Sequence, residues 1–251
     1  MTLAALDDAA LAAHLALEAG RLLMAVREGS GLAGKALGDE GDRAANRFLC
    51  TNIRSARPDD GLLSEEEKDN PERLGRSRVW IIDPLDGTRE YAEGRADWAV
   101  HVALAVDGVP VHGAVALPGL AGEVVLRSDQ PQPLAPMAER PRFLVSRTRP
   151  PTEAEAVAAA LGGELVAMGS AGAKAMAVVR GEAEVYLHSG GQHEWDSCAP
   201  VAVAAANGLH CSRIDGSSLV YNRSDTYMPD LLICRREWAA PVLAEVARLE
   251  P

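Results

Sequence analysis

Four apolar residues in a row, Val79-Trp80-Ile81-Ile82, run directly into Asp83-Pro84-Leu85-Asp86-Gly87-Thr88. A short run with no polar alternation reads as a central strand, buried on both faces. Pro84 cannot donate to a sheet ladder and biases Asp83 away from helix, so the strand ends there. In open α/β sheets, ligands bind beyond the carboxyl ends of strands. Here that position holds two carboxylates and a hydroxyl within six residues. Pro84 fixes the chain and Gly87 permits a sharp turn, so Asp83 and Asp86 can converge. Taken alone, the same string also suits an ordinary turn, because Asp, Pro, Gly and Thr are all turn formers.

Periodicity divides the rest of the chain. Leu11, Leu15, Leu22 and Val26 share a face and predict a helix over 7–28, capped by Asp7 or Asp8 and followed by Gly29. The glycine-studded stretch from Gly29 to Asp42 falls between helices, and a second helix is expected from about 42 to 56. Asp107-Gly108 between 98–106 and 109–116 signals a hairpin. Pro131, Pro133, Pro136 and Pro141 mark a boundary in a polar stretch, giving an α+β part over 1–140 and an α/β part over 141–251. In the second part, strands are expected at 143–146, 164–168, 184–187, 219–221 and 230–234. They alternate with helices at 152–161, 171–180, 196–206 and 238–249, the first carrying a capping-box pattern in Thr152 and Glu155. Strand–helix alternation of this kind predicts layered α/β architecture.

Charge narrows the partners. With 25 basic and 36 acidic residues among 251, the chain carries a net −11 and repels nucleic acid and anionic membranes at long range. An anionic substrate would need local cations. Aromatic residues are 4%, too few for a base-stacking platform. No uninterrupted apolar run approaches the roughly 18 residues of a membrane span, and Asp7 and Asp8 stand where a signal peptide carries positive charge. Cys50, Cys198, Cys211 and Cys234 are scattered, so free thiols in a reducing, cytoplasmic setting are expected.

Two further acidic groups accompany the strand end. Glu65-Glu66-Glu67 lies upstream, where a charge run also suits a solvated face. Asp196, in His193-Glu194-Trp195-Asp196, opens a helix, where it also suits an N-cap. HEWDS is not the zinc-protease HExxH, because Ser197 stands where the second histidine would be. Gly29-Ser30-Gly31-Leu32-Ala33-Gly34 spells GxGxxG but follows an expected helix rather than a strand, and Ala36 stands where a Walker A string requires Ser or Thr, so neither dinucleotide redox chemistry nor triphosphate hydrolysis is supported.

Trp80-Ile81-Ile82-Asp83-Pro84-Leu85-Asp86-Gly87-Thr88 resembles the metal-binding signature of the inositol monophosphatase-like superfamily. Trp195-Asp196-Ser197-Cys198-Ala199-Pro200 is similar to its second signature, and Gly169-Ser170 and Asp215-Gly216 with Leu219, Tyr221 and Asn222 sit where that family has them. Glu194-Trp195-Asp196, Lys174 and Ser146-Arg147 resemble the 3′-phosphoadenosine 5′-phosphate phosphatase branch. The resemblance implies an αβαβα sandwich and Mg²⁺-dependent hydrolysis of a phosphate monoester. In that branch the 3′-phosphate of 3′-phosphoadenosine 5′-phosphate is removed to give AMP and phosphate, serving sulfate assimilation. An inositol-1-phosphate or fructose-1,6-bisphosphate phosphatase would share the metal site. A non-catalytic module would have lost a ligand or the threonine.

By the same resemblance, Glu65, Asp83 and the Leu85 carbonyl hold a first metal, and Asp83, Asp86 and Asp196 a second; a weaker third lies near Glu65 and implies lithium sensitivity. Hard oxygen ligands favour Mg²⁺ over zinc. Thr88 orients the attacking water with Asp42 as its acid partner, Asp39 being the competing candidate. Substrate contacts are expected from Gly87, Thr88, Ser146, Arg147, Gly169, Ser170, Lys174, His193 and Asp196. Of these, Ser170 and Lys174 begin a helix whose N-terminus suits an anion, and Arg147 suits bidentate pairing with phosphate. The family is often dimeric, so a homodimer is an option.

Overall fold

The computed structural model describes residues 2–249. Among the described residues, two five-stranded sheets and seven α-helices alternate in layers. The first sheet has the order β1-β2-β3-β4-β5, formed by Gly61–Ser64, Arg78–Asp86, Ala99–Val106, Val109–Leu117 and Val124–Arg127. β1 runs parallel to β2, and the remaining pairs are antiparallel. The second sheet has the order β7-β6-β8-β10-β9, with β6 Arg142–Ser146, β7 Glu164–Met168, β8 Val185–His193, β9 His210–Ser212 and β10 Tyr227–Cys234. β6 is parallel to both neighbours, and β10 is antiparallel to both of its own.

Helices α1 (Asp8–Gly29) and α2 (Gly34–Ala56) cover the outer face of the first sheet. α5 (Ala171–Val179) and α6 (Glu194–Ala206) lie between the sheets, and α4 (Thr152–Ala160) and α7 (Arg236–Leu249) cover the far face of the second. The short α3 (Thr88–Ala92) follows β2. This layering explains the unbroken apolar run in β2. Trp80 and Ile82 enter the core under α1 and α2, while Val79 and Ile81 enter the core shared with α5 and α6. Both faces of β2 are dry, so period-two alternation brings no polar residue.

Several expectations need correction. α2 begins at Gly34, eight residues before the expected start at Asp42. Its glycines are contact sites within the helix: a Cβ on Gly38 would lie 2.7 Å from Thr88 Cγ2, and one on Gly41 3.0 Å from the Tyr91 ring. Thr152 is not a cap, because α4 takes Pro151 as its N-cap and makes no side-chain capping bond there. No strand forms at 219–221; Tyr221 makes a single backbone bond to Gly108, and Asn222 turns the chain at φ 58°. β1, β5 and β9, each of three or four residues, went unread because runs that short lack a period. α1 is long and apolar enough to span a membrane by composition, yet Leu11, Leu15 and Leu23 are fully buried in the core.

Other expectations hold. Asp7 caps α1 by accepting from the Ala10 N–H at 2.7 Å. The Asp107-Gly108 turn joins β3 to β4, with both residues at positive φ. The proline-rich stretch connects β5 of the first sheet to β6 of the second.

Candidate active site

The carboxyl end of β2 carries the site. Asp83 is buried and accepts from the Leu85 N–H at 3.0 Å, which tightens the turn through Pro84. Gly87 then adopts φ 92°, a conformation disfavoured for other residues, and its missing side chain lets Trp98 and Ser170 approach. Asp86 is thereby brought beside Asp83. Asp196 arrives from the first turn of α6, where its Oδ2 accepts from the His193 N–H at 2.6 Å. His193, not Asp196, is the N-cap of that helix.

Oxygens of Asp83, Asp86 and Asp196 lie within 4.8 Å of one another. Glu65, just past the end of β1, is an exposed residue whose carboxyl reaches the Asp83 side chain. Loss of water, then the charge of Asp196, raises Glu65 to about 7. Burial and Asp86 raise Asp196 to about 6. Burial and the neighbouring acids push Asp83 well above the carboxylate range. Asp86 is the exception: burial opposes its charge, but His101, Ser170 and the Gly172 N–H hold it down at about 2. A crowd of hard oxygen donors that disfavours its own ionisation is what a divalent cation relieves, so these residues fit a metal. Glu67 is turned away, paired with Arg54.

The Thr88 hydroxyl lies 3.4 Å from Asp42 Oδ1 and 3.1 Å from the Leu85 carbonyl. Asp42 and Gly38 are one turn apart on α2, so the glycine gives Thr88 room to approach. Burial, then the charge of Glu66, raises Asp42 to about 7. Asp39 pairs with Lys35 at 2.5 Å on the exposed side of the helix, away from Thr88.

The matching family model is the inositol monophosphatase family, over residues 4–249. The chain belongs to the inositol monophosphatase family. It is 51% identical to the 3′-phosphoadenosine 5′-phosphate phosphatase of Mycobacterium leprae (strain TN), over 98% of this chain and 95% of that protein. It is 28% identical to the 3′(2′),5′-bisphosphate nucleotidase CysQ of Escherichia coli (strain K12), over 74% and 80%. The crystal structure of CysQ from Bacteroides thetaiotaomicron matches with a TM-score of 0.74 at 26% identity, covering 88% of this chain and 94% of that one. The family and the layered fold expected from the two signatures are both borne out.

Membership in a family of metal-dependent phosphatases directs attention to the space beside the acids. A cavity of about 240 Å³ is lined by Gly87, Thr88, Ser146, Arg147, Ser170 and Lys174, among others. A second, of about 440 Å³, shares Ser146 and Arg149 with it and continues to Glu153, His188 and Ser189. Arg149, not singled out from the sequence, is exposed and forms no ion pair among the described residues. Its signal was its place two residues after Arg147.

Three of the expected substrate contacts have partners within the protein itself. The N-terminus of α5 is already filled: the Ala171 and Gly172 N–H groups donate to Asp86, at 3.1 and 2.6 Å, and Ala173 donates to Ser170 Oγ. Those amides hold the Asp86 carboxylate rather than facing open space for a phosphate. Lys174 is 5% exposed, and its Nζ donates to the Gly169 and Ser170 carbonyls. Burial lowers its pKa, although Asp86 and Glu90 oppose that. Arg147 is held by Glu90 at 2.9 Å and Glu93 at 2.8 Å rather than standing free. His193 is exposed and stacks on Trp195, with ring centroids 4.7 Å apart.

A clasp ties the two ends of the site together. Buried Arg73 pairs with Asp69 and donates to Asn222 Oδ1 at 2.7 Å and to the Arg223 carbonyl at 2.9 Å. Glu194, fully buried, accepts from the Asn222 and Arg223 N–H groups, each at 2.7 Å.

The raised acids predict a pH-dependent response to metal. A carboxyl whose folded pKa lies above its unfolded value favours the folded state at low pH, and that contribution is lost as pH rises through the folded pKa. Metal binding reverses the penalty, because it requires the deprotonated ligands. The increase in Tm on adding Mg²⁺ is therefore expected to grow between about pH 5 and about pH 8, spanning the shifts of Glu65 and Asp196. About 1 kcal/mol corresponds to roughly 2–4 °C for a chain of this size. Scanning fluorimetry with and without Mg²⁺ checks this, and a Tm increment that is constant or shrinks with pH contradicts it.

Proposed function

We propose that this chain is a Mg²⁺-dependent phosphatase that removes the 3′-phosphate of 3′-phosphoadenosine 5′-phosphate, giving AMP and phosphate, in the cytoplasm and in the service of sulfate assimilation. The observation that carries this reading is the 51% identity, over nearly the whole chain, to a protein bearing that activity in its name. Four free cysteines suit a reducing compartment.

Asp83, Asp86, Asp196, Glu65 and the Leu85 carbonyl would hold two Mg²⁺ ions, with a weaker third near Glu65. When bound, such ions offset the charge of the phosphate and make water acidic enough to attack it. Thr88 and Asp42 form the proton-handling pair: the Thr88 hydroxyl accepts from the incoming water while donating toward Asp42. An acid near 7 is poised for proton transfer at neutral pH. As the new P–O bond forms, the bond to the ribose oxygen breaks and that oxygen would take its proton from water.

The second phosphate of the substrate is placed in the adjoining cavities, near Ser146, Arg149 and the Lys174 ammonium, with Gly169 and Ser170 forming the wall between it and Asp86. Arg147 joins them on release from Glu90 and Glu93. The His193–Trp195 stack borders the nucleoside on the α6 side. Arg149→Ala is expected to raise KM for 3′-phosphoadenosine 5′-phosphate about tenfold, the equivalent of a charged hydrogen bond worth about 1.5 kcal/mol. KM for inositol 1-phosphate, which has no second phosphate, should hardly move. Equal effects on both substrates would remove Arg149 from the second-phosphate site.

The deciding experiment is phosphate release, with and without Mg²⁺, from 3′-phosphoadenosine 5′-phosphate, inositol 1-phosphate and fructose 1,6-bisphosphate in parallel. The proposal expects the highest kcat/KM on the nucleotide and none in excess chelator. A preference for either alternative substrate reassigns the specificity, and full activity in chelator rejects the metal reading.

A further inference from the structure

One buried residue beside the acids has no part in the chemistry above. His101 sits on β3 on a face otherwise lined by Ala99, Ala103 and Ala105, and it is 0% exposed. Its Nδ1 lies 3.0 Å from the carbonyl of Trp195, and its Nε2 lies 3.2 Å from Asp86 Oδ2. The second contact is imperfectly aligned for a hydrogen bond, and among the described residues Nε2 has no other partner. Room for the ring is made by α5, where any Cβ on Gly172 would collide with Nε2.

These contacts join two segments far apart in sequence. Asp86 ends β2 in the first sheet, while Trp195 directly precedes Asp196 in α6. Asp86 Oδ2 also accepts from Ser170 Oγ at 2.5 Å and from the Gly172 N–H at 2.6 Å, whereas Oδ1 accepts from the Ala171 N–H alone. With His101 as a third neighbour, Oδ2 is saturated, and Oδ1 is the oxygen that keeps a lone pair for a cation.

We propose that His101 is a positioning residue of the metal site, bridging Asp86 to the Trp195-Asp196 turn so that the two carboxylates keep the separation an ion requires and Asp86 presents Oδ1 to it. This rests on the reading of Asp83, Asp86 and Asp196 as metal ligands. Its action is on metal affinity, through Asp86 and α6, and not on bound substrate. Partners that orient metal ligands are worth roughly 10–100-fold in affinity.

The test is direct Mn²⁺ binding, followed by electron paramagnetic resonance without substrate, on the unmodified protein, His101→Leu and His101→Asn. Binding in the unmodified protein supports the metal reading, and its absence overturns that reading rather than the role of His101. Given binding, His101→Leu is expected to weaken it by roughly 10–100-fold. His101→Asn, which keeps one N–H donor, should recover part of the loss. Unaltered Mn²⁺ affinity in the folded Leu variant overturns the proposal. Should neither variant fold, nitrogen-15 NMR of the unmodified protein decides. A solvent-protected Nε2 proton on His101 that shifts when Mg²⁺ is added supports the bridge, and an Nε2 insensitive to Mg²⁺ overturns it.

Discussion

Asp83→Asn is expected to abolish phosphate release while leaving the protein folded, and in metal-free buffer more stable than before. Asp83 is the most buried of the clustered acids, and its carboxyl is pushed well above its ordinary range by burial and then by Glu65, Asp86 and Asp196. The amide has nearly the same shape and can still accept from the Leu85 N–H through its oxygen. What it loses is the charge that repels its neighbours and attracts a cation. Losing a mere supporting partner of a metal ligand costs roughly 10–100-fold. Losing a ligand on which both proposed ions depend should exceed that, taking turnover below detection in an ordinary phosphate assay. The diagnostic combination is a higher Tm without metal and no further increase on adding Mg²⁺. A variant that keeps its activity, or that gains stability from Mg²⁺ as the parent does, would remove Asp83 from the metal site.

Thr88→Ala should also lose rate, by a different route. Positioned proton transfer contributes on the order of 10²–10⁴-fold, and that range is the expected fall in kcat. Thr88 supplies no metal-ligand side chain, so the Mg²⁺-induced rise in Tm should survive. Asp42→Asn should resemble it, because the amide cannot take a proton from the hydroxyl 3.4 Å away. Asp39→Asn should behave as the parent does, since its carboxylate meets only Lys35 at the surface. Stopped-flow phosphate release with saturating Mg²⁺ separates the cases, and a Thr88→Ala enzyme with near-normal turnover would reject the pair.

How far the sequence could be read depended on whether a residue's role was local. The β2 run, its Asp-Pro stop and the Asp107-Gly108 hairpin are decided within a few residues, and each was legible. The glycines of α2 were not, because their meaning is tertiary. Gly38 weakens a helix by propensity, yet the close approach of Thr88 requires it. Read as punctuation, Gly38 and Gly41 hid the first two turns of the helix that carries Asp42. The same limit applied to α5. Gly169-Ser170 before a helix reads as an anion site, and an anion is indeed bound there, but it is the protein's own Asp86. His101 left no trace at all, for a lone histidine in an apolar strand gains its significance only from Asp86 and Trp195, which meet it across the fold.

The clasp between Arg73 and Asn222 joins residues 149 positions apart. Synthesis at about 5–20 residues per second places roughly 7–30 s between their appearance at the ribosome. For most of that interval Asp83 and Asp86 exist without Asp196, and Arg73 pairs with Asp69 in the absence of Asn222. A nascent or truncated chain ending before Asn222 thus presents crowded acids, while Glu194 at the start of α6 still lacks the Asn222 and Arg223 N–H groups that it accepts from. The clasp therefore closes only on a chain that extends past Arg223.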